Sequence, residues 1–134
     1  MLNSVRFFII AFIVIGLFSM NAKIVQSNPK EESDRCDLKK INLDLSSIDN
    51  NGLTGSGYVD YEFCIPYQDR YIKEVRDISS DIRCFHGSGG RIGCGRVKDE
   101  YLCLGNTHDK KIKNILCKLS NLDYIKRIEE CFWE

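Results

Sequence analysis

Residue types that support nucleophilic catalysis occur at two predicted strand ends of this 134-residue chain. Cys64 ends one strand, and Asn106 and His108 follow another. A thiol, an imidazole that takes its proton and exposed backbone amides that hold an oxyanion are the parts of a cysteine nucleophile. One hypothesis is therefore a small thiol-dependent enzyme that uses Cys64 with His108, assisted by Asn106. The competing interpretation makes Cys64 half of a disulfide and His108 a solvated side chain.

A glycine-rich stretch, 87–95, is followed by a second arginine. Its glycines could expose backbone amides to an anion, but it lacks the Lys-Ser/Thr of a P-loop and the spacing of a dinucleotide fingerprint. It also joins two predicted strands instead of entering a helix. The alternative is a mobile loop that a disulfide holds at Cys94. The residues predicted to bind a ligand are Gly89, Gly90, Arg91, Arg96, Asn106 and Thr107.

Cysteine is the most informative residue type in the chain. Such a density favours disulfides in an exported protein, and the odd count of seven leaves at least one thiol outside intramolecular pairs. No C-x-x-C motif occurs, so neither zinc binding nor thioredoxin chemistry is indicated, and no metal or cofactor is predicted. The disulfide candidates are Cys36, Cys64, Cys84, Cys94, Cys103, Cys117 and Cys131.

The elements that must position these residues follow from hydrophobic periodicity. Strict alternation with Val59, Tyr61, Phe63 and Ile65 on one face predicts a strand over 58–65, which Pro66 ends. Helical spacing predicts a helix over 67–79, and an apolar stripe predicts a second helix that Thr107 caps. Further strands are predicted over 82–86, 100–105 and 124–133.

This order predicts an α+β fold: a disulfide-stabilised, ferredoxin-like βαββαβ sandwich with a four-stranded antiparallel sheet and two helices on one face, preceded by an N-terminal arm. Crossover connections should set its first and third strands side by side, with their carboxyl ends at the same edge. The sheet face away from the helices should then collect several cysteines, among them Cys64 and Cys103.

The first 27 residues are typical of a secretory signal peptide. An uninterrupted apolar run over 7–20 follows Arg6 and is too short to span a bilayer as a helix. Cleavage is expected after Ala22 or Ser27. We expect a polar tether and N-terminal arm with a loop over 28–57, and the ferredoxin-like domain over 58–134. Localisation is predicted to be secreted or periplasmic, without a stable membrane span after cleavage.

Charge argues against a nucleic-acid binder. The chain has 19 basic and 19 acidic residues, but Arg6 and Lys23 lie in the signal, which leaves 17 against 19 beyond it. Binding to nucleic acid depends on a basic face. The first function hypothesis is therefore an exported binding module for a protein or a small anionic ligand. The ending Phe132-Trp133 is interpreted as core closure, with a partner-binding anchor as the alternative.

Overall fold

The fold is a mixed five-stranded sheet with two helices, which confirms the α+β class. The structure is a computed structural model that describes residues 35–95 and 99–132. The predicted signal peptide, Arg96 and Trp133 lie outside these residues. In chain order the elements are a 3-10 helix (Leu38–Lys40), β1 (Ile41–Asn42), β2 (Asp60–Pro66), α1 (Asp69–Ile78), β3 (Arg83–His86), β4 (Glu100–Asn106), α2 (Ile112–Ser120) and β5 (Ile128–Cys131).

The strand order is β1-β5-β2-β4-β3, so the sheet has one strand more than predicted. The extra strand, β1, comes from the N-terminal arm and pairs in parallel with β5, where Ile41 lies opposite Ile128. The other three pairs, β5 with β2, β2 with β4 and β4 with β3, are antiparallel.

The two neighbouring central strands run in opposite directions. In the β2/β4 register Pro66 lies opposite Glu100, and Asp60 lies opposite Asn106. The expectation that the carboxyl ends of these strands meet at one edge is therefore wrong. Hydrophobic periodicity reports which face of a strand is buried, but it carries no information on strand direction.

One face of the sheet packs on both helices. The predicted alternation in β2 is confirmed, because Tyr61, Phe63 and Ile65 are buried in one core. This core includes buried residues from both helices: Val75, Ile112, Ile115, Leu116 and Leu119. It also includes arm and loop residues Ile41, Leu43 and Ile48, so the segment before residue 58 contributes to the same core.

The α1 helix, predicted over 67–79, covers Asp69–Ile78, and Val75 is its buried residue. An exposed pair, Lys73 Nζ and Asp77 Oδ2 at 2.8 Å, lies one turn apart on its outer side. Such i,i+4 pairs add only a few tenths of a kcal/mol. Packing of one apolar stripe, more than surface pairing, therefore holds α1 on the sheet.

Two disulfides cross-link the sheet. Cys84 and Cys103 lie directly opposite each other on β3 and β4, with 4.0 Å between their Cα atoms. Cys64 on β2 is bonded to Cys94 in the glycine-rich stretch, with 5.4 Å between Cα atoms. Cys103 is buried beside Phe63 in the helical core, so its predicted place on the opposite face is wrong.

Candidate functional site

The glycine-rich segment 87–95, which we call the cover loop, lies across the sheet face opposite the helices. Ile92 and Cys94 are buried there against Leu102, with Cys64 and Leu104 packed beside them. This small cluster is separate from the helical core. The stretch predicted as a mobile loop held at Cys94 therefore acts as a partial second layer, and its disulfide partner is Cys64.

A buried carboxylate anchors the cover loop from below. Glu62 projects from β2 on the face that also carries Cys64, and only 1% of its surface is exposed. Its Oε1 accepts a hydrogen bond from the backbone N–H of Ile92 at 2.6 Å. A buried carboxylate needs such a donor, because desolvation without one costs several kcal/mol. On the polar face of β2 that the alternation predicted, Glu62 thus forms a structural hydrogen bond to the cover loop.

Arg127, directly before β5, is a third anchor of the cover loop, after the Cys64–Cys94 disulfide and Glu62. Arg127 donates through Nη2 to the carbonyl oxygen of Ile92 at 2.6 Å, while its Nη1 lies 3.1 Å from Glu129 Oε1. Ile92 therefore has both its backbone N–H and its C=O bonded to charged side chains. Charge-assisted hydrogen bonds are stronger than neutral ones, so the middle of the cover loop is held on both sides.

Gly90 lets the cover loop approach the sheet closely. Its φ of +57° is a left-handed conformation, and a Cβ atom there would collide with Glu62 Oε2 and with the Leu102 side chain. Both the backbone angle and the space require glycine. Gly90 thus has a structural role that the sequence analysis did not assign to it.

A groove of about 520 Å³ runs between the cover loop, β3 and the end of β5; we call it the open-face groove. Its polar lining includes Glu62, Arg91 and Cys131. Phe85 is 42% exposed and Phe132 58% exposed, so two aromatic rings border it and face solvent. Its apolar lining consists of Phe85, Leu102, Leu104 and Phe132.

The thiol of Cys131 is poorly activated. Partial burial raises its pKa first, and the nearby carboxylates of Glu62 and Asp60 raise it further, while Arg91 has the opposite effect. The thiolate is the nucleophilic form, so a raised pKa disfavours covalent chemistry at neutral pH. Cys36 and Cys117 also lie outside the two disulfides, and Cys36 Sγ is 3.8 Å from Ser120 Oγ on α2.

The structure separates Cys64 from His108. The sulfur of Cys64 is bonded to Cys94, so it offers no thiolate, and it lies opposite Leu102 in the β2/β4 register. His108 lies past the other end of β4, where its ring stacks edge-on with Tyr58 at 4.6 Å between centroids. The hypothesis of a Cys64 nucleophile with His108 as base is therefore wrong for this structure.

The residues at the end of β4 and directly after it differ in burial. Thr107, predicted as a helix cap and ligand contact, is fully buried; its hydroxyl donates to the Gly52 carbonyl at 2.7 Å and accepts from Val59 N–H at 3.0 Å. Helix α2 begins only at Ile112, so Thr107 does not cap it. Asn106 is exposed, and its Nδ2 donates to Asp60 Oδ1 at 2.5 Å.

A second and smaller cavity, of about 100 Å³, lies where β2 and β3 begin and β4 ends; we call it the strand-end pocket. Asn106 and His108 line it, so two residues of the sequence hypothesis do border a cavity, without Cys64. Sequence reasoning missed its other polar residues, which include Tyr61, Asp81, Arg83 and Asp109. These four come from three separate segments, and no local motif connects them.

Comparison with known proteins gives no relative for this site. The chain matches no protein-family model, no curated protein and no solved structure. Within residues 35–95 and 99–132, no cluster of three or more His, Cys, Asp or Glu side chains is arranged to hold a metal ion. In the same part of the chain, neither helix has the length and apolar character needed to cross a membrane.

Proposed function

We propose that this chain is an exported, disulfide-stabilised binding module that takes an extended apolar segment of a partner protein into the open-face groove. The observation that carries the proposal is the groove itself, bordered by solvent-facing Phe85 and Phe132 and walled by the anchored cover loop. Its volume falls in the range of natural binding sites, about 300–1,000 Å³. Exposed aromatic residues that line a preformed groove are typical of interface anchors.

The edge of the sheet favours an extended segment as the occupant. Strand β3 is the last strand on its side, so one edge of its backbone pairs with no strand among the described residues. Phe85 of β3 lies opposite Leu102 and shares its face, next to the groove. A segment that pairs with such an edge directs alternate side chains to each sheet face. Apolar residues at alternate positions would therefore enter the groove beside Phe85.

The fold proposed for this module is ferredoxin-like with one added edge strand. Helix α1 connects β2 to β3, and β4 lies between these two strands in the sheet. Helix α2 connects β4 to β5, and β2 lies between those two. This interleaving supports the split βαβ arrangement that the sequence order predicted. In this proposal β1 extends the sheet beyond β5.

Export is proposed from chemistry and from the N-terminal pattern together. Disulfides such as Cys64–Cys94 and Cys84–Cys103 persist in oxidising compartments. The apolar run over 7–20 is the proposed signal peptide, and the mature protein would be secreted or periplasmic. Two disulfides and a sheet with buried residues on both faces suit a small domain whose core alone gives limited stability.

A displayed library of extended peptides, panned against the oxidised mature protein, tests the proposed function. Enriched peptides should carry apolar residues at alternate positions. Phe85→Ala should weaken their binding about 30-fold, as for an interface anchor worth about 2 kcal/mol. Leu38→Ala, which removes another exposed apolar side chain outside the groove, should leave binding unchanged.

Two results would overturn the peptide proposal. One is a library from which no peptide is enriched over an unrelated protein. The other is enrichment of peptides that bind Phe85→Ala and the unaltered protein equally. Binding of small anions that depends on Arg91 alone would favour the alternative of a small anionic ligand.

A further inference from the structure

The strand-end pocket is lined by Tyr61, whose hydroxyl has no hydrogen-bond partner among the described residues. Tyr61 is only 1% exposed, and its ring lies against Gly105, where a Cβ atom would collide with Cζ and the hydroxyl oxygen. Both residues line the pocket. Across residues 35–95 and 99–132, no protein group forms a hydrogen bond with the Tyr61 hydroxyl. No fully buried side-chain oxygen of these residues lacks a partner, so this hydroxyl keeps contact with the pocket and can form hydrogen bonds with a group bound there.

The charges around the Tyr61 hydroxyl are mostly negative. Burial raises the pKa of Tyr61 most, and the carboxylates of Asp109 and then Asp81 raise it further. The hydroxyl therefore stays neutral and keeps oxygen lone pairs that can accept a hydrogen bond. The titratable residues that line the pocket from all neighbouring segments are Asp60, Asp81, Arg83, His108 and Asp109.

We propose that the strand-end pocket binds a primary ammonium group, which donates hydrogen bonds to the Tyr61 hydroxyl oxygen and to the carboxylates of Asp81 and Asp109. An ammonium carries three donors and no acceptor, which suits a pocket lined by these three acceptors. A cavity of about 100 Å³ holds roughly three waters at about 30 Å³ each, which is enough for an ammonium with one or two carbons. This site goes beyond the peptide groove and does not depend on it.

The same chemistry occurs on a free small amine and at the end of a lysine side chain. An anion is disfavoured by the three carboxylates of the pocket. A metal ion is disfavoured because the pocket does not gather three ligands in a suitable arrangement within the described part of the chain. A quaternary ammonium is also excluded from the proposal, since it has no N–H to donate.

The test is a titration of the oxidised mature protein with methylammonium chloride, followed by the amide chemical shift of Gly105 and the ring shifts of Tyr61. Saturable shifts are expected with methylammonium and not with sodium chloride or tetramethylammonium at equal ionic strength. Tyr61→Phe and Asp81→Asn should each weaken binding at least about tenfold. Tyr67→Phe and Asp123→Asn, which alter the same residue types outside the pocket, should not change it.

The two sources of the ammonium are separated by a second titration. A lysine blocked at its backbone amine and carboxyl is compared with the same compound acetylated at Nε. Shifts with the first compound and none with the second would identify a lysine side chain as a ligand. Shifts with methylammonium alone would restrict the pocket to free small amines.

The proposal fails if methylammonium gives no saturable shift at Gly105. It also fails if sodium or tetramethylammonium gives the same shift, or if Asp81→Asn binds methylammonium as well as the unaltered protein does. Asp81 is exposed, so its substitution leaves the core intact and the result interpretable even if Tyr61→Phe is destabilised.

Discussion

The Glu62 carboxylate accepts the backbone N–H of Ile92 at 2.6 Å, although the two residues are 30 positions apart. This bond links the central strand of the sheet to the middle of the cover loop. It is buried, so neither group has water as a substitute partner. The Glu62 side chain is therefore one of three anchors that hold the wall of the open-face groove.

Substitutions at Glu62 should show whether its hydrogen bond or its charge contributes to the stability of the fold. Glu62→Gln keeps an acceptor oxygen and should change the free energy of unfolding little. Glu62→Leu leaves the Ile92 N–H without a partner and should cost about 1–3 kcal/mol. Urea unfolding of the oxidised protein measures both. Equal stability of the Leu and Gln variants would mean that this bond does not hold the loop.

Gly90→Ala should be more damaging than Gly87→Ala. Both glycines have positive φ, +57° and +76°, so both substitutions strain the backbone. A Cβ at Gly87 meets nothing within 4 Å, whereas at Gly90 it collides with Glu62 and Leu102. The difference in unfolding free energy should be about 1–3 kcal/mol, the usual cost of overpacking. No difference between the two variants would contradict the close approach at Gly90.

Peptide mapping of the non-reduced protein should recover Cys64–Cys94 and Cys84–Cys103. Replacing both Cys64 and Cys94 by serine should lower the unfolding free energy by about 3–4 kcal/mol, from the entropy of a loop of some 30 residues. The matched control replaces Cys131 by serine, which removes a thiol and no disulfide. Recovery of Cys64 bonded to any other cysteine would show that the cover loop follows a different path.

Stability should fall as the pH rises above about 10, the ordinary pKa of tyrosine. The folded pKa of Tyr61 is raised by burial, so its neutral form is favoured in the folded state and its stabilisation is complete below pH 10. Above pH 10 the unfolded chain releases this proton and the folded chain retains it, which costs up to about 1.4 kcal/mol per pH unit.

Brief urea unfolding series from pH 9 to 11 measure this slope. Tyr61→Phe should reduce it, and Tyr58→Phe, which removes an exposed phenol, should not. An unchanged slope in Tyr61→Phe would show that this phenol ionises as readily in the folded protein as in the unfolded chain.

Local periodicity was sufficient to predict the helical face of the sheet. Tyr61, Phe63 and Ile65 alternate with polar residues because one face of β2 is buried under the helices. Strand β1 could not be predicted in this way, since two residues, Ile41 and Asn42, are too short for a periodic pattern. Its pairing with β5 depends on contacts between distant parts of the chain.

The sites were harder to predict because topology assembles them. The pairing of Cys64 with Cys94 sets the path of the cover loop, and several cysteines allow many connectivities. Asp81 and Asp109 line the same pocket as Tyr61 only after three strands have paired. Asn106 and His108 line the strand-end pocket, but antiparallel pairing places Cys64 away from them.

The bond between Cys64 and Cys94 makes the open-face groove dependent on an oxidising environment. In a reducing cytosol the cover loop would keep two hydrogen-bonded anchors, through Glu62 and Arg127, and lose its covalent one. A reduced chain would then have the sheet and its helical core but a groove wall that is held less firmly. Oxidation of Cys64 and Cys94 would thus complete the proposed binding surface.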